Sequence, residues 1–285
     1  MTDSDREIID YLGFDLPGEN QLAQARRTAL LRGLEGSAEP TSLVSYTSAG
    51  LVLIIGPEPS ALSVAESLVG SVTCFVLATD AIDNTSSTPM GYEKRQVAGQ
   101  DVPIIFGKPE KILGHLGSFE VIIERDQREV ELAKVMNLAS GGIDVVLDLA
   151  RDPLLRTELL PPGYFAPAGD SSRLDQALSD IPELAGTFEK PRYVQYNPDI
   201  CAHSERGIAG CTQCIDVCPA GSLTSLAGRI SVDPHLCHGM GSCAAVCPTG
   251  AMTYAYPNLA RTLDSLRRLL SSFREATDLS AVLLL

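Results

Sequence analysis

One cysteine-rich stretch occurs twice in this chain, first as Gly210-Cys211-Thr212-Gln213-Cys214-Ile215-Asp216-Val217-Cys218-Pro219-Ala220-Gly221 and again as Gly239-Met240-Gly241-Ser242-Cys243-Ala244-Ala245-Val246-Cys247-Pro248-Thr249-Gly250. The copies lie 29 residues apart, and both contain Val-Cys-Pro-x-Gly. Each approximates the run C-x2-C-x2-C-x3-C-P, in which three cysteines bind one iron-sulfur cluster and the fourth binds another. The repeat therefore predicts two clusters that draw ligands from both copies.

Two positions depart from this run. The first copy has Ile208 where its first cysteine is expected, and Cys201 is the only cysteine available to replace it. The second copy keeps its first cysteine as Cys237, but it has Met240 at the second position. The first site therefore retains four thiolates, with a longer loop after Cys201, whereas the second site retains three.

The spacing assigns the seven clustered cysteines to two sites. Cys201, Cys211, Cys214 and Cys247 are predicted to hold a [4Fe-4S] cluster, and Cys218, Cys237 and Cys243 a second cluster. Two outcomes stay open for the second site: [3Fe-4S], or [4Fe-4S] whose fourth iron takes a weak or exogenous ligand. A neutral thioether from Met240 would raise the reduction potential, because it neutralises less cluster charge than a thiolate. Methionine is, however, more often a flexible apolar filler than a ligand.

Zinc is the competing interpretation, because zinc also binds four cysteines. Zinc sites usually show two separated C-x2-C pairs, whereas this chain has a doubled C-x3-C-P. The eighth cysteine, Cys74, lies apart in a strand-like run, where a buried and inert thiol is expected. Disulfides are disfavoured in a cytosolic chain, since thiols stay reduced there. The spacing favours iron-sulfur clusters.

Charge and hydropathy exclude several classes of protein. The chain has 36 acidic and 22 basic side chains, so its formal net charge is -14. Nucleic-acid binding needs a basic surface and is therefore excluded. No run reaches the roughly 18 apolar residues of a membrane span, and Met1-Thr2-Asp3-Ser4-Asp5 lacks the character of a signal peptide. We expect a cytoplasmic protein.

The first part of the chain has the pattern of an α/β domain. Residues 1–40 are predicted to form a helical lead-in, and residues 41–170 a Rossmann-like domain with a parallel sheet. Its strand-like runs are Leu51–Ile55, Val72–Leu77, Val102–Phe106, Phe119–Ile123 and Ile143–Leu149, with helical stretches at Ser60–Leu68 and Glu131–Leu138. Such alternation favours a parallel sheet, although some connections are open to being hairpins. The first turn, Ile55-Gly56-Pro57-Glu58, lacks the G-x-G-x-x-G fingerprint, so neither nucleotide nor flavin is assigned.

After the last of these strand-like runs, the chain is predicted to contain a link and two further helices. Pro161–Pro167 is rich in proline and indicates an extended link, and a helix is expected over Ser172–Leu184. Residues 259–285 are predicted to form an amphipathic helix and then a strand. The final apolar run, Ser280–Leu285, either completes the first sheet or begins a further α/β domain of a longer protein, and we favour the second interpretation.

Residues 191–256 resemble bacterial-type dicluster ferredoxin domains, through the doubled cysteine motif. The resemblance implies an α+β ferredoxin domain, which we place at residues 185–258. A wider region, including Pro161–Pro167, Cys201-Ala202-His203-Ser204 and Tyr254-Ala255-Tyr256-Pro257, is similar to poorly characterised, longer bacterial 4Fe-4S ferredoxin proteins. Those proteins often accompany formate dehydrogenase genes. The resemblance implies electron transfer to a redox partner, with a formate-dehydrogenase-like oxidoreductase as a candidate.

Three functions remain open at this point. The leading hypothesis is an electron-transfer protein or subunit that passes single electrons between redox partners. The second is an oxidoreductase with its chemistry in the α/β domain or in a missing C-terminal part, and the third is a redox or iron sensor that uses the three-cysteine site. No catalytic arrangement is evident, and cysteines that bind iron cannot act as nucleophiles. His203, His235 and His238 border the sites and are expected to be polar neighbours rather than ligands.

Overall fold

The computed structural model describes residues 21–34, 42–80, 92–125, 128–138, 142–203 and 210–277. The chain divides into two compact units. The described residues of the smaller unit fall within Met1–Ser42, Pro191–Gln195 and Thr253–Leu285, and those of the larger unit within Leu43–Lys190 and Tyr196–Met252. The α/β region and nearly all of the cysteine-rich region therefore belong to the same unit.

The elements alternate irregularly along the chain. The helices are α1 (Gln21–Leu34), α2 (Glu58–Leu68), α3 (Leu132–Val135), α4 (Ser171–Asp180), α5 (Gln213–Asp216), α6 (Ser242–Val246) and α7 (Leu259–Thr277). The strands are β1 (Leu43–Ser48), β2 (Leu51–Gly56), β3 (Thr73–Ala78), β4 (Glu93–Val97), β5 (Gln100–Phe106), β6 (Lys108–Leu113), β7 (Glu120–Arg125), β8 (Arg128–Glu131), β9 (Val145–Asp148), β10 (Tyr164–Phe165), β11 (Gly186–Pro191), β12 (Val194–Tyr196), β13 (Leu223–Leu226), β14 (Arg229–Val232) and β15 (Met252–Tyr254).

The largest sheet is mixed, with the strand order β10-β9-β2-β3-β5-β4. Its pairs are parallel except for β4, which forms an antiparallel hairpin with β5. Four of the predicted runs are strands of this sheet, namely β2, β3, β5 and β9. The central strand β2 is almost wholly buried, which explains its continuous apolar sequence, since helices or sheets cover both of its faces.

The predicted strand Phe119–Ile123 belongs to a different sheet. Its residues lie at and within β7, which pairs antiparallel with β6 and β8. The connections in this sheet are too short for the crossover that a parallel pair needs. Gly117, in the connection that precedes β7, has a φ of +80°. A Cβ at this position would also clash with the Thr47 carbonyl oxygen, so only glycine fits. The predicted helix Glu131–Leu138 is reduced to the single turn of α3.

Two apolar clusters pack on the opposite faces of the mixed sheet. On one face, Ala61, Val64 and Leu68 of α2 contact the sheet. On the other face, the antiparallel sheet contributes Phe119 and Val121, both fully buried. Burial of one such large side chain contributes roughly 1.5–3 kcal/mol, so these faces anchor the unit.

Side chains from neighbouring segments pack around the turn after β2. A Cβ on Gly56 would lie 3.0 Å from the Leu149 Cβ. The Glu58 carboxylate pairs with the Arg95 Nε at 3.2 Å, and the Asp80 carboxylate accepts the Glu58 N–H at 2.9 Å. Leu149, directly after β9, thus lies against the turn at which a doubly wound sheet would admit a ligand.

The predicted link Pro161–Pro167 contains β10 and is therefore part of the mixed sheet, whereas the segment after it matches the predicted helix. The Asp170 carboxylate caps α4 by accepting the Ser172 N–H at 2.9 Å, and a turn of 3-10 helix, Ile181–Leu184, completes the predicted segment. Strands β13 and β14 form a hairpin, and β12 pairs with β15.

In the smaller unit, α1 packs against α7, where Arg32 Nη1 lies 3.4 Å from Ser272 Oγ. Helix α7 matches the predicted amphipathic helix, and α1 matches the described part of the lead-in. Residues 1–20 and 35–40 of the predicted lead-in and the predicted strand Ser280–Leu285 lie outside the described residues. Within the described part of the chain, no helix is both long enough and apolar enough to cross a membrane.

Candidate metal centre

The repeat seen in the sequence is also a repeat of structure. Cys214 lies in α5 and Cys243 in α6, one short helix from each copy. After the last cysteine of each copy the chain makes the same turn, in which the Cys218 carbonyl accepts the Gly221 N–H and the Cys247 carbonyl accepts the Gly250 N–H. Both glycines have positive φ, 60° and 68°, which explains the conserved spacing of glycine in the Cys-Pro-x-Gly motif of the two copies.

The segments that lead into Cys201 and Cys237 are equivalent as well. The Asn197 side chain accepts the N–H of the residue two positions later at 3.0 Å, and the Asp233 carboxylate does the same at 2.8 Å. Both segments follow a strand and end in a cysteine. Cys201 thus occupies the place in its copy that Cys237 occupies in the other.

A sequence signal for this equivalence exists outside the doubled motif. Tyr196-Asn197-Pro198-Asp199-Ile200-Cys201 and Val232-Asp233-Pro234-His235-Leu236-Cys237 share an Asx-Pro turn and an apolar residue before the cysteine. The two segments lie 36 residues apart rather than 29, because more residues separate Cys201 from the rest of its copy than separate Cys237 from the rest of the other. The offset of 29 alone does not reveal this relation.

Mutual electrostatic effects divide six of the cysteines into two groups. Burial raises the pKa of Cys214, and the neighbouring charges of Cys201 and Cys211 raise it further. Burial likewise raises the pKa of Cys243, with additional increases from Cys237, Cys218 and Cys214. Cys214 also acts on Cys243, which indicates that the two groups adjoin one another.

Cys247 has a different environment. Burial raises its pKa, but hydrogen bonds from the Met252 N–H and from Thr249 outweigh burial, so that the pKa of Cys247 is lowered. Its Sγ lies 3.4 Å from the Met252 nitrogen and 3.7 Å from the Thr249 Oγ1. These donors stabilise a thiolate at this position.

Other sulfur atoms also receive hydrogen bonds that the sequence does not reveal. The His203 N–H donates to the Cys201 Sγ at 3.4 Å, and the Ser222 hydroxyl lies 3.2 Å from the Cys218 Sγ. Burial raises the pKa of Tyr196 to about 12, and the neighbouring Cys201 acts in the same direction. Donors to ligand sulfur tune the potential of a bound iron-sulfur cluster, so these residues fit such a cofactor.

The geometry does not offer a site for a single metal ion. Among the described residues, which include all seven clustered cysteines, no three His, Cys, Asp or Glu side chains converge closely enough to bind one ion. Zinc would need its ligands at about 2.0–2.3 Å from one centre. In a cluster the thiolates bind different iron atoms and need not converge on one point.

The histidines near the cysteines have other partners. The His203 Nδ1 lies 3.0 Å from the Cys211 carbonyl oxygen, and its Nε2 lies 2.7 Å from the Ser225 Oγ. Both ring nitrogens of His203 are therefore engaged. The His235 ring stacks on His115 at 4.1 Å, and burial lowers the pKa of both His115 and His238.

Met240 and Cys74 lie outside the predicted ligand sets and differ in exposure. Met240 is 64% exposed, whereas Cys237 and Cys243 beside it in sequence are each 8% exposed. The predicted vacant position of the second site therefore faces water. Cys74 lies within β3, and burial raises its pKa to about 11, as expected for an inert thiol.

Comparisons with known proteins agree with this site. Residues 193–250 match the model of a family described as "4Fe-4S dicluster domain". Hydrogenase-4 component A of Escherichia coli (strain K12) is 30% identical over 83 residues, which cover 27% of this chain and 38% of that protein. The chain thus spans less than two-fifths of the length of the curated relative that it matches. Residues 193–250 of this chain form a dicluster domain of the ferredoxin type.

Proposed function

We propose that this chain is an electron-transfer protein or subunit that passes single electrons between redox partners through two iron-sulfur clusters. The observation that carries the proposal is the pairing of two adjoining cysteine groups with the match to the dicluster family. When bound, the clusters supply one-electron redox chemistry. The chain's own residues hold the thiolates and donate hydrogen bonds to their sulfur atoms.

The proposed ligand sets are those of the sequence motif. Cys201, Cys211, Cys214 and Cys247 hold a [4Fe-4S] cluster, and Cys218, Cys237 and Cys243 hold the second, as [3Fe-4S] or [4Fe-4S]. The neighbouring charges support six of these assignments, while that of Cys247 depends on the motif. The exposure of Met240 supports a second site that is open to water at one corner.

The proposed partner is an oxidoreductase. The name of the similar hydrogenase component supports a place in a redox complex. The resemblance to longer bacterial ferredoxins supports a formate-dehydrogenase-like partner in the cytoplasm. The net charge of -14 supports docking to a basic face of that partner, where electrostatic attraction raises the association rate.

The α/β region supports this function as a scaffold. If its parallel strands β2, β3, β5, β9 and β10 are numbered 1 to 5 in chain order, their spatial order is 3-2-1-4-5. This order supports the proposed Rossmann-like fold of residues 41–170. Because Leu149 packs against Gly56 and the turn lacks the G-x-G-x-x-G fingerprint, we assign no catalysis there. The ferredoxin domain is proposed to extend over residues 185–258.

A redox or iron sensor is the second candidate, and the water-exposed Met240 favours it. Its signature would be reversible interconversion of the second cluster that changes partner binding. If the cluster interconverts while partner affinity stays constant, the sensor role is excluded.

The decisive experiment measures iron and acid-labile sulfide in protein purified without oxygen, with electron paramagnetic resonance (EPR) spectra before and after dithionite. A three-iron signal in the oxidised protein and a [4Fe-4S]+ signal after reduction are expected. Met240→Cys should then convert the second site to [4Fe-4S], whereas Met252→Cys, outside the motif, should not. Two interacting [4Fe-4S]+ signals would contradict the three-iron form, and zinc without sulfide would contradict the function itself.

A further inference from the structure

Strand β11 supplies a cation to the loop that carries Cys237. Lys190, near the end of β11, is half-buried, and its Nζ donates to two backbone carbonyls of this loop. The distances are 2.6 Å to the His235 oxygen and 2.9 Å to the Cys237 oxygen. An ammonium group held by two carbonyls has little freedom to move away.

Residues from other strands hold the same loop. The Tyr46 hydroxyl, from β1, donates to the His235 carbonyl at 2.5 Å, and Lys190 Nζ lies 5.0 Å from the centre of the Tyr46 ring. The His115 ring, from the connection between β6 and β7, stacks on His235 at 4.1 Å with an interplanar angle of 11°. Three separate segments, namely β1, β11 and the connection between β6 and β7, thus converge on His235, two residues before Cys237.

The position of the cation has an electrostatic consequence. Burial lowers the pKa of Lys190, while the charges of Cys237 and Asp233 act in the opposite direction. Reduction adds one negative charge to a bound cluster, and a nearby positive charge stabilises the reduced form more than the oxidised form. In a partly buried setting this attraction is only weakly screened by salt.

We propose that Lys190 is a positioning residue for the second site, where it fixes the Cys237 loop and raises the reduction potential of the cluster bound there. This inference rests on the proposed two-cluster function. It gives β11 a specific role, because its lysine would set the potential of one cluster and leave the other unchanged.

The test is an EPR-monitored redox titration of Lys190→Gln, Lys190→Arg and the control Lys94→Gln. Glutamine keeps a hydrogen-bond donor and removes the charge, whereas arginine keeps both. Lys94 is an exposed lysine of β4 that pairs with Asp101 at 3.4 Å. In Lys190→Gln we expect the equilibrium constant for one-electron reduction of the second cluster to fall about tenfold, which corresponds to 59 mV. Lys190→Arg should retain at least half of the contribution of Lys190 to this potential, and Lys94→Gln should leave the potential unchanged.

The outcomes separate this inference from the function on which it rests. If the wild-type protein holds no second cluster, both fail. If the second cluster is present and its potential is unchanged in Lys190→Gln, only the role of Lys190 fails. If Lys190→Gln does not assemble the cluster, Lys190→Arg decides. A retained potential supports the role of the charge, and a potential lowered by the full 59 mV overturns it.

Discussion

Replacement of Tyr196 by phenylalanine should lower the potential of the first cluster and leave the second unchanged. Cys201 and Cys214, two ligands of the proposed first site, both act to raise the pKa of Tyr196, and we propose that its hydroxyl donates to Cys201. Because the pKa of Tyr196 is about 12, the phenol stays protonated and remains a donor throughout the pH range in which the protein would be studied. The substitution removes the donor and keeps the ring.

The magnitude follows from the energy of such a bond. A hydrogen bond to a charged group contributes roughly 1.5–3 kcal/mol, and it is retained in part in both oxidation states. If about 1 kcal/mol distinguishes the reduced from the oxidised state, the potential falls by about 40 mV, since tenfold in equilibrium corresponds to 59 mV for one electron. The sign is negative because the lost donor stabilised the more negatively charged, reduced state.

The assay is a redox titration followed by EPR, in which the two clusters are resolved by their spectra. Tyr193→Phe is the matched control, because the Tyr193 ring stacks on Tyr254, with 6.4 Å between centroids. An unchanged potential in Tyr196→Phe would refute the role of its hydroxyl. A shift of the second cluster instead of the first would refute the assignment of Cys201 to the first site.

Three further outcomes test other parts of the account. Cys201→Ser should remove the iron of the first cluster, whereas Cys74→Ser should leave the iron content unchanged; iron loss in Cys74→Ser would contradict its inert role. Leu53→Ala, at a fully buried position of the mixed sheet, should lower the free energy of unfolding by about 2–5 kcal/mol in chemical denaturation, and a loss as small as that of Leu226→Ala, which is 68% exposed, would contradict the packing described. With a net charge of -14, the rate of electron transfer to the partner should fall as ionic strength rises, and a rate independent of salt would exclude electrostatic docking.

Several structural features were predictable because they depend on neighbouring residues. The buried strands β2, β3 and β9 were evident from continuous apolar runs, and α7 from its helical period. The sheet to which β7 belongs was not predictable from its sequence. An apolar run reports burial, whereas the pairing partner depends on the direction in which the connecting chain returns.

The same division applies to the candidate site. The spacing of the cysteines was sufficient to predict two iron-sulfur sites, because such ligands lie within one short loop. The equivalence of Cys201 and Cys237 was only partly apparent, since an insertion changes the offset between the copies. Tyr196 and Ser222 gave no signal, because one hydroxyl near a cysteine does not report which atom it bonds.

The sequence alone determined that this chain binds clusters, through the types and spacing of residues between Cys201 and Cys247. Only the tertiary structure revealed that Lys190 and Tyr46 hold the loop of Cys237. Tyr46 lies 189 residues from its acceptor His235, and Lys190 lies 47 residues from Cys237. Both side chains bond to backbone carbonyls, which every residue possesses, so no pattern of residue types could have indicated these contacts.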